Sequence, residues 1–224
     1  MPRPQLILTM YGNKIIDQSD NAILHKSLWK TAAKTVTWIL DNGEASGIAK
    51  NAGEAIKLFH EAHGVGKICG LAISPWRKIP AKKQLRSESY IGLYPARYRP
   101  GLANCDSQYN LDTRHTHYMF IDTNEENESA SEIKFRGILE KHLVHWPQKE
   151  TARSTGVFAH SSRQNSDRIP ICGLLSGGDE QLLPVIHHTF VQNQIPFLVI
   201  DVSCLLKNDF DSTLEDWRRY LLTA

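Results

Sequence analysis

Small and acidic residues recur where short apolar runs end. They are Tyr11-Gly12-Asn13, Asn42-Gly43, Asp122-Thr123, Ser176-Gly177-Gly178-Asp179, and Asp201 with Ser203. A glycine at such a point lets the backbone approach a bound molecule closely. The N–H groups opening the next helix can hold phosphate oxygens, and a carboxylate can accept ribose hydroxyls. One such turn is ordinary turn chemistry. Five in one chain point to a nucleotide-type ligand held by Tyr11, Gly12, Asn13, Asn42, Gly43, Asp122, Gly177, Gly178, Asp179, Asp201 and Ser203.

Other chemistries find less support. Neither GxGxxG nor GxxxxGK[ST] stands at a strand–helix junction, which disfavours a standard dinucleotide fingerprint and a P-loop NTPase. His115 and His117 form an HxH pair that alternation would place on one side of an extended strand, and no third ligand follows at a zinc spacing. The adjacent His187 and His188 point to different faces of a helix. No metal is therefore expected. No Ser/His/Asp or Cys/His set can be assembled, so no catalytic residue is expected either. An arginine-plus-glutamate pair for hydrolysis could come from Arg136 and Glu140 on one helix face. Arg77, Lys78, Lys82, Lys83 and Arg86 read as a solvated basic loop, or as a contact for an acidic partner domain or for ligand phosphates. Aromatics are not interleaved with these charges, so no nucleic-acid partner is expected. Glu125, Glu126 and Glu128 read as a solvated acidic loop. The net charge of +2 gives no field for DNA or a membrane surface. The cysteines, Cys69, Cys105, Cys172 and Cys204, lack CxxC spacing and fit a reduced cytosolic chain. No run approaches the ~20 apolar residues a spanning helix needs, and the N-terminal run lacks a cleavage site.

These residues must be positioned by alternating strands and helices. Strands are expected over residues 5–11, 37–40, 67–74, 117–122, 169–175 and 196–202. Helices are expected over 21–36 (capped by Asp20, with Ile23, Leu24, Leu28, Ala32 and Val36 inward), 47–63, 131–146, 179–194 and 212–222. Residues 48, 52, 55, 56 and 59 form the inner face of the second helix. Phe135, Ile138, Leu139, Leu143 and Trp146 form that of the third. Residues 75–116 and 147–168 read as irregular insertions in one domain spanning 1–224. Strand–helix alternation implies an α/β fold, a Rossmann-like doubly wound, mostly parallel sheet with helices on both faces. Its ligand crevice lies beyond the carboxyl ends of the strands.

The order of motifs resembles one family. Trp38-Ile39-Leu40-Asp41-Asn42-Gly43, then Ser46-Gly47-Ile48 and Gly53-Glu54-Ala55, resembles the "WIITGG…TG…GEA" stretch in the N-terminal cytosolic homology region of TRPM (melastatin) cation channels. Ile73-Ser74-Pro75-Trp76 resembles "GIAPW", and residues 94–99 resemble "FPARYR". Leu111-Asp112 with His115-Thr116-His117-Tyr118 resembles "LD…HTHF". Phe120-Ile121-Asp122 stands at the place of "LVDDG", and Phe135-Arg136 with Leu139-Glu140 resembles "FR…LE". Residues 176–180 resemble a "GGP" or "DGDE" turn, and residues 196–201 resemble "PCLVVDGSG". The resemblance runs from about residue 5 to about residue 205.

It implies a SLOG (LSDAT) domain and a regulatory role in a cation (calcium) channel, with the channel subunit or its homotetramer as partner. It implies no enzyme activity and no resident cofactor, but a nucleotide-derived ligand such as ADP-ribose or an adenine nucleotide. Arg136 matches an arginine that contacts ligand phosphate in ADP-ribose-binding members, where a guanidinium offers a fork of donors. Met10 and Tyr11 stand where the family has Thr-Gly, and a tyrosine there could stack on an adenine or close the pocket. Asp41 and Asn42 replace two residues of "TGG", and residues 202–205 replace "GSGR". Ser129 holds the place of a tyrosine. SLOG relatives that hydrolyse nucleotides carry PGGxGTxxE; here Pro184 stands at its glutamate, which removes the carboxylate that acid–base catalysis needs. The alternatives are a free-standing SLOG protein with nucleotide hydrolase or sensing activity, and a structural interaction domain whose pocket has decayed.

Overall fold

A computed structural model describes residues 1–13, 18–85, 98, 109–122, 131–146, 168–177 and 182–201. Six strands are present: β1 (Leu6–Tyr11), β2 (Thr37–Asp41), β3 (Ile68–Pro75), β4 (His117–Ile121), β5 (Ile171–Ser176) and β6 (Phe197–Asp201). They form one sheet in the order β4-β3-β2-β1-β5-β6. Every pairing in it is parallel. The Rossmann-like α/β expectation holds.

The chain moves outward from β1 through β2 and β3 to β4, then returns to lay β5 on the other side of β1. That reversal makes a topological switch point between β1 and β5, where open α/β sheets form their ligand crevice. Between β5 and β6 the register slips at Leu175/Ser176, so that Ser176 lies opposite Asp201.

Helices α1 (Gln18–Lys34) and α2 (Gly47–His63) cover one face. Leu24, Leu28 and Ala32 from α1, with Ile48, Ala52, Ala55, Ile56 and Phe59 from α2, pack on Met10, Ile39, Ile68 and Leu174. Helix α3 (Ser131–Val144) and the short α4 (Leu183–His187), which continues into one π turn (His188–Gln192), lie on the other. There Leu143 joins Ile7, Trp38, Leu40, Cys69, Leu71 and Ile73. Tyr11 and Leu175 meet Leu182 and Ile186. Strand residues alternate between the two cores, and the central strands are apolar on both faces because both are covered.

Several sequence expectations need correction. Asp20 lies inside α1, which begins two residues earlier, so it is not the cap. Ile23 is 63% exposed and Ile138 on α3 is 57% exposed; Trp146 lies two residues beyond α3 and is 40% exposed, with its ring edge-on to the buried Trp38 at 5.8 Å. Apolar type at helical spacing named these positions, but the core stripe of each helix is narrower than the periodic set. The expected helix over 179–194 is α4 plus the π turn among the described residues. His115 and His117 do not share a side: His115 precedes β4 and is buried, while His117 is exposed. The expected helix over 212–222, Arg86, Arg97, Cys105, the glutamates at 125, 126 and 128, Ser129, and all of the 147–168 insertion except Arg168 lie outside the described residues.

Candidate functional site

The turns that end β1, β2 and β5 meet at the rim of the sheet. Gly12 has φ +116, and a Cβ there would lie 2.0 Å from the Ser176 carbonyl oxygen, so the ends of β1 and β5 are in contact. Gly47, the first residue of α2, has φ +55, and a Cβ on it would come within 2.7 Å of the Asn13 carbonyl. The β1 turn therefore rests on the N-terminus of α2. That terminus is buried and has no side-chain cap. Ser46 is extended at φ −142 and ψ 168, its side chain makes no capping bond, and the first turn carries no acidic residue. Unpaired N–H groups with the positive end of the helix dipole favour an anion.

Behind this rim lies a buried charged cluster. Arg136 and Glu140, one turn apart on α3, are 5% and 0% exposed. Arg136 Nε donates to Glu140 Oε1 at 3.2 Å and to Thr9 Oγ1 at 3.0 Å. Its Nη2 donates to Thr9 Oγ1, to the Met10 carbonyl at 2.7 Å and to the Leu40 carbonyl at 2.9 Å. The guanidinium thus ties the ends of β1 and β2 to α3. Its carbon lies 3.8 Å from the centre of the Tyr11 ring. The Tyr11 hydroxyl donates to Glu140 Oε1 at 2.9 Å, and the Thr9 hydroxyl donates to the same oxygen. Three donors converge on Oε1, while Oε2 is buried without a partner among the described residues. Burial holds the Tyr11 hydroxyl far above its ordinary pKa; Arg136 opposes that shift and Glu140 adds to it.

A second buried network fixes the β2 turn. Asp41 Oδ1 accepts from the Gly43 amide at 2.7 Å, and Asp41 Oδ2 pairs with His115 Nε2 at 2.7 Å. The Asn42 carbonyl accepts from Ser74 Oγ and from the Tyr109 hydroxyl, each at 2.6 Å. The Asp112 amide donates to the Gly43 carbonyl at 2.8 Å. Arg114 grips both oxygens of Asp112 at 2.9 Å. Burial alone would lower the pKa of His115, but the Asp41 carboxylate, helped by Asp112, outweighs it and the opposing Arg114, and the net shift is upward.

The structure brings Tyr11, Gly12, Asn13 and Gly177 together at the switch point, and Asn42 and Gly43 on the neighbouring strand end. Gly43 has φ +70, and a Cβ there would meet Ala72 Cβ at 2.5 Å. Arg136 lies beneath the rim, with its Nε and Nη2 donors satisfied inside the protein. Asp122 stands apart on the end of β4, exposed and paired with Arg77 at 3.4 Å. Gly178, Asp179 and Ser203 lie outside the described residues, and of Asp201 only the backbone at the end of β6 is described. Thr9, Asp41 and His115 escaped sequence reasoning as site-shaping residues. Strand alternation from Tyr11 was the available signal for Thr9. A further cleft is lined by Lys57, His60, Glu61, Thr113 and Arg114. None of these belongs to the strand-end turns, and Lys57 and Arg114 already pair with Glu61 and Glu54.

Among the described residues no group of three or more His, Cys, Asp or Glu side chains is placed to hold a metal ion. No helix there is long and apolar enough to cross a membrane.

Residues 1–208 match the model of the eukaryotic LSDAT family, described as SLOG in TRPM. The chain is 23% identical to human transient receptor potential cation channel subfamily M member 6 over 96% of its own length and 11% of that protein. It is 26% identical to human subfamily M member 7, covering 90% of this chain and 10% of the channel. It is 26% identical to rat subfamily M member 4, covering 95% of this chain and 17% of the channel. The chain thus spans less than a fifth of the curated relatives it matches.

Proposed function

This chain belongs to the eukaryotic LSDAT family, the SLOG domain of TRPM, and on that premise we propose that it is a cytosolic regulatory domain of a TRPM-like cation channel. Its ligand is a nucleotide of the ADP-ribose or adenine nucleotide class, bound at the carboxyl ends of β1, β2 and β5. The observation that carries this reading is the N-terminus of α2, without a side-chain cap, set against the Gly12-Asn13 turn at the switch point. Amides and helix dipole there receive phosphate, and Gly12, Gly43 and Gly177 keep the rim free of side chains. Arg136 contributes from below, by fixing the two strand ends and by its face against Tyr11. Arg136 and Glu140, buried and paired with each other, favour binding over hydrolysis, because neither is open to an attacking water. Calcium or other cation transport belongs to the rest of such a channel. The domain's part is a binding free energy that differs between channel states.

Calorimetry and thermal melting with AMP, ADP and ADP-ribose test the reading. A ligand at 100 times its Kd stabilises the chain by about 2.7 kcal/mol. Ser46→Asp places a carboxylate at the helix start. It raises the stability of the free chain by about 0.5–1 kcal/mol and weakens AMP binding several-fold. If none of the three nucleotides raises Tm at millimolar concentration, the ligand-binding part of the proposal fails. Chromatography of the incubated nucleotides checks for hydrolysis, and a product peak would replace the sensor by an enzyme.

A further inference from the structure

The exposed side chains described on α3 and on the two residues after it share one face. Lys134, Ile138, Lys141, His142, His145 and Trp146 are exposed, while Arg136, Gly137, Glu140 and Leu143 are buried. From 134 to 145 the exposed positions keep to one helical row, roughly 17 Å long at 1.5 Å per residue. The row carries no carboxylate. Glu140 is buried against Arg136, and Glu132 lies half-buried in the first turn. His142 and His145 bond through Nδ1 to the carbonyls of Ile138 and Lys141 at 2.8 and 3.0 Å, which anchors both rings to the helix. Positive charge extends past the helix end. Arg3 Nη2 donates to the Trp146 carbonyl at 3.1 Å. The Ile169 amide donates to the Val144 carbonyl at 3.3 Å, which brings the exposed Arg168 alongside. The helix dipole accounts for cations in the last turn. It does not account for Lys134 in the first turn, nor for Ile138 standing 57% exposed between two lysines.

We propose that this face of α3 is a docking surface for an acidic helix of a partner polypeptide, with carboxylates set against Lys134 and Lys141 and an apolar side chain seated on Ile138. A second copy of this chain does not fit, because a two-fold contact through α3 brings like charges together. A row one side chain wide suits the ridge of a helix lying about 8–10 Å away, axis to axis, better than the breadth of a lipid surface. The assignment does not depend on the nucleotide reading, since none of these side chains belongs to the strand-end turns.

The test uses the 224-residue chain and a synthetic helix of about four turns, with glutamates on both sides of a leucine row. The same helix with lysines in place of the glutamates is its control. Calorimetry is expected to show saturable binding of the acidic helix and none of the basic one. Raising the salt from about 50 to about 500 mM weakens that binding about tenfold or more, because the charges are exposed. Lys141→Glu weakens it at least about tenfold. Ile138→Ser, at an exposed position the fold tolerates, also weakens it about tenfold. Lys30→Glu, the same charge change on the exposed side of α1, leaves it unmoved. Circular dichroism confirms that each variant is folded. Equal binding of the two helices, or unmoved affinity in folded Lys141→Glu or Ile138→Ser, overturns the assignment. So does the absence of binding at about 1 mM acidic helix, the weak end of specific affinity. Binding to vesicles of phosphatidylserine and phosphatidylcholine that Lys141→Glu abolishes, with the acidic helix ignored, replaces the partner by a membrane. A dimer in sedimentation that Ile138→Ser dissolves replaces it by a second copy.

Discussion

A methyl group at position 12 would sit 2.0 Å from the Ser176 carbonyl oxygen on a backbone with φ +116. Neither strand end can retreat without breaking its pairing with the sheet. Gly12→Ala is therefore expected to cost at least about 2 kcal/mol, read as a fall in denaturant midpoint at constant m-value. Arg136→Ala leaves Glu140 as a buried charge without its counter-ion and frees the carbonyls of Met10 and Leu40; removal of one partner from such a pair costs about 3–5 kcal/mol. His115 gives the pH dependence. Its pKa in the folded chain lies above its ordinary value of 6.5, so between those two values the folded state binds more protons than the unfolded. Stability is then fully present below pH 6.5 and is lost as the pH rises through the folded pKa. Melting curves at a series of pH values show this slope, and His115→Gln flattens it. At this scale the sequence was only partly legible. The "FR…LE" pattern singled out Arg136, yet the partners that bury it are far along the chain: Thr9 is 127 residues away. Asp41 and His115 are 74 residues apart, and no spacing rule joins them.

Helix α2 shows what periodicity reads well. Ile48, Ala52, Ala55, Ile56 and Phe59 are all nearly or wholly inaccessible, as the 3.6-residue repeat requires. Phe59→Ala should cost about 3–5 kcal/mol, whereas Ile138→Ser, on the exposed side of α3, should change stability by less than about 0.5 kcal/mol. Paired equilibrium unfolding of the two variants separates a core stripe from a merely apolar position. The same repeat misled on α1 and α3, where Ile23 and Ile138 were assigned inward. Apolar type says what a residue tolerates, and only the packed partner says which way it turns. Strand existence was plain from the apolar runs; the ends moved by one or two residues, since strand termini depend on the neighbour's hydrogen bonds.

Over the whole molecule, alternation fixed a parallel sheet with two covered faces, but the order β4-β3-β2-β1-β5-β6 was not readable. It depends on where the chain crosses back after α3, which is a matter of global packing. That order places β1 at the centre and β6 at an edge, where Leu198 is 58% and Val199 48% exposed. Amide hydrogen exchange should accordingly open β6 before β1 and β2, by well over tenfold in rate, because local opening follows burial and pairing.

The two carbonyls on Arg136 Nη2 carry a mechanical consequence. One nitrogen, mounted on α3, pins neighbouring strands together at their tips, much as a cotter pin locks two plates. The β1 and β2 tips cannot spread while the pin is seated, and a slide of α3 along its axis drags both at once. Any larger assembly that grips α3 from outside has a handle on the rim of the sheet without touching it.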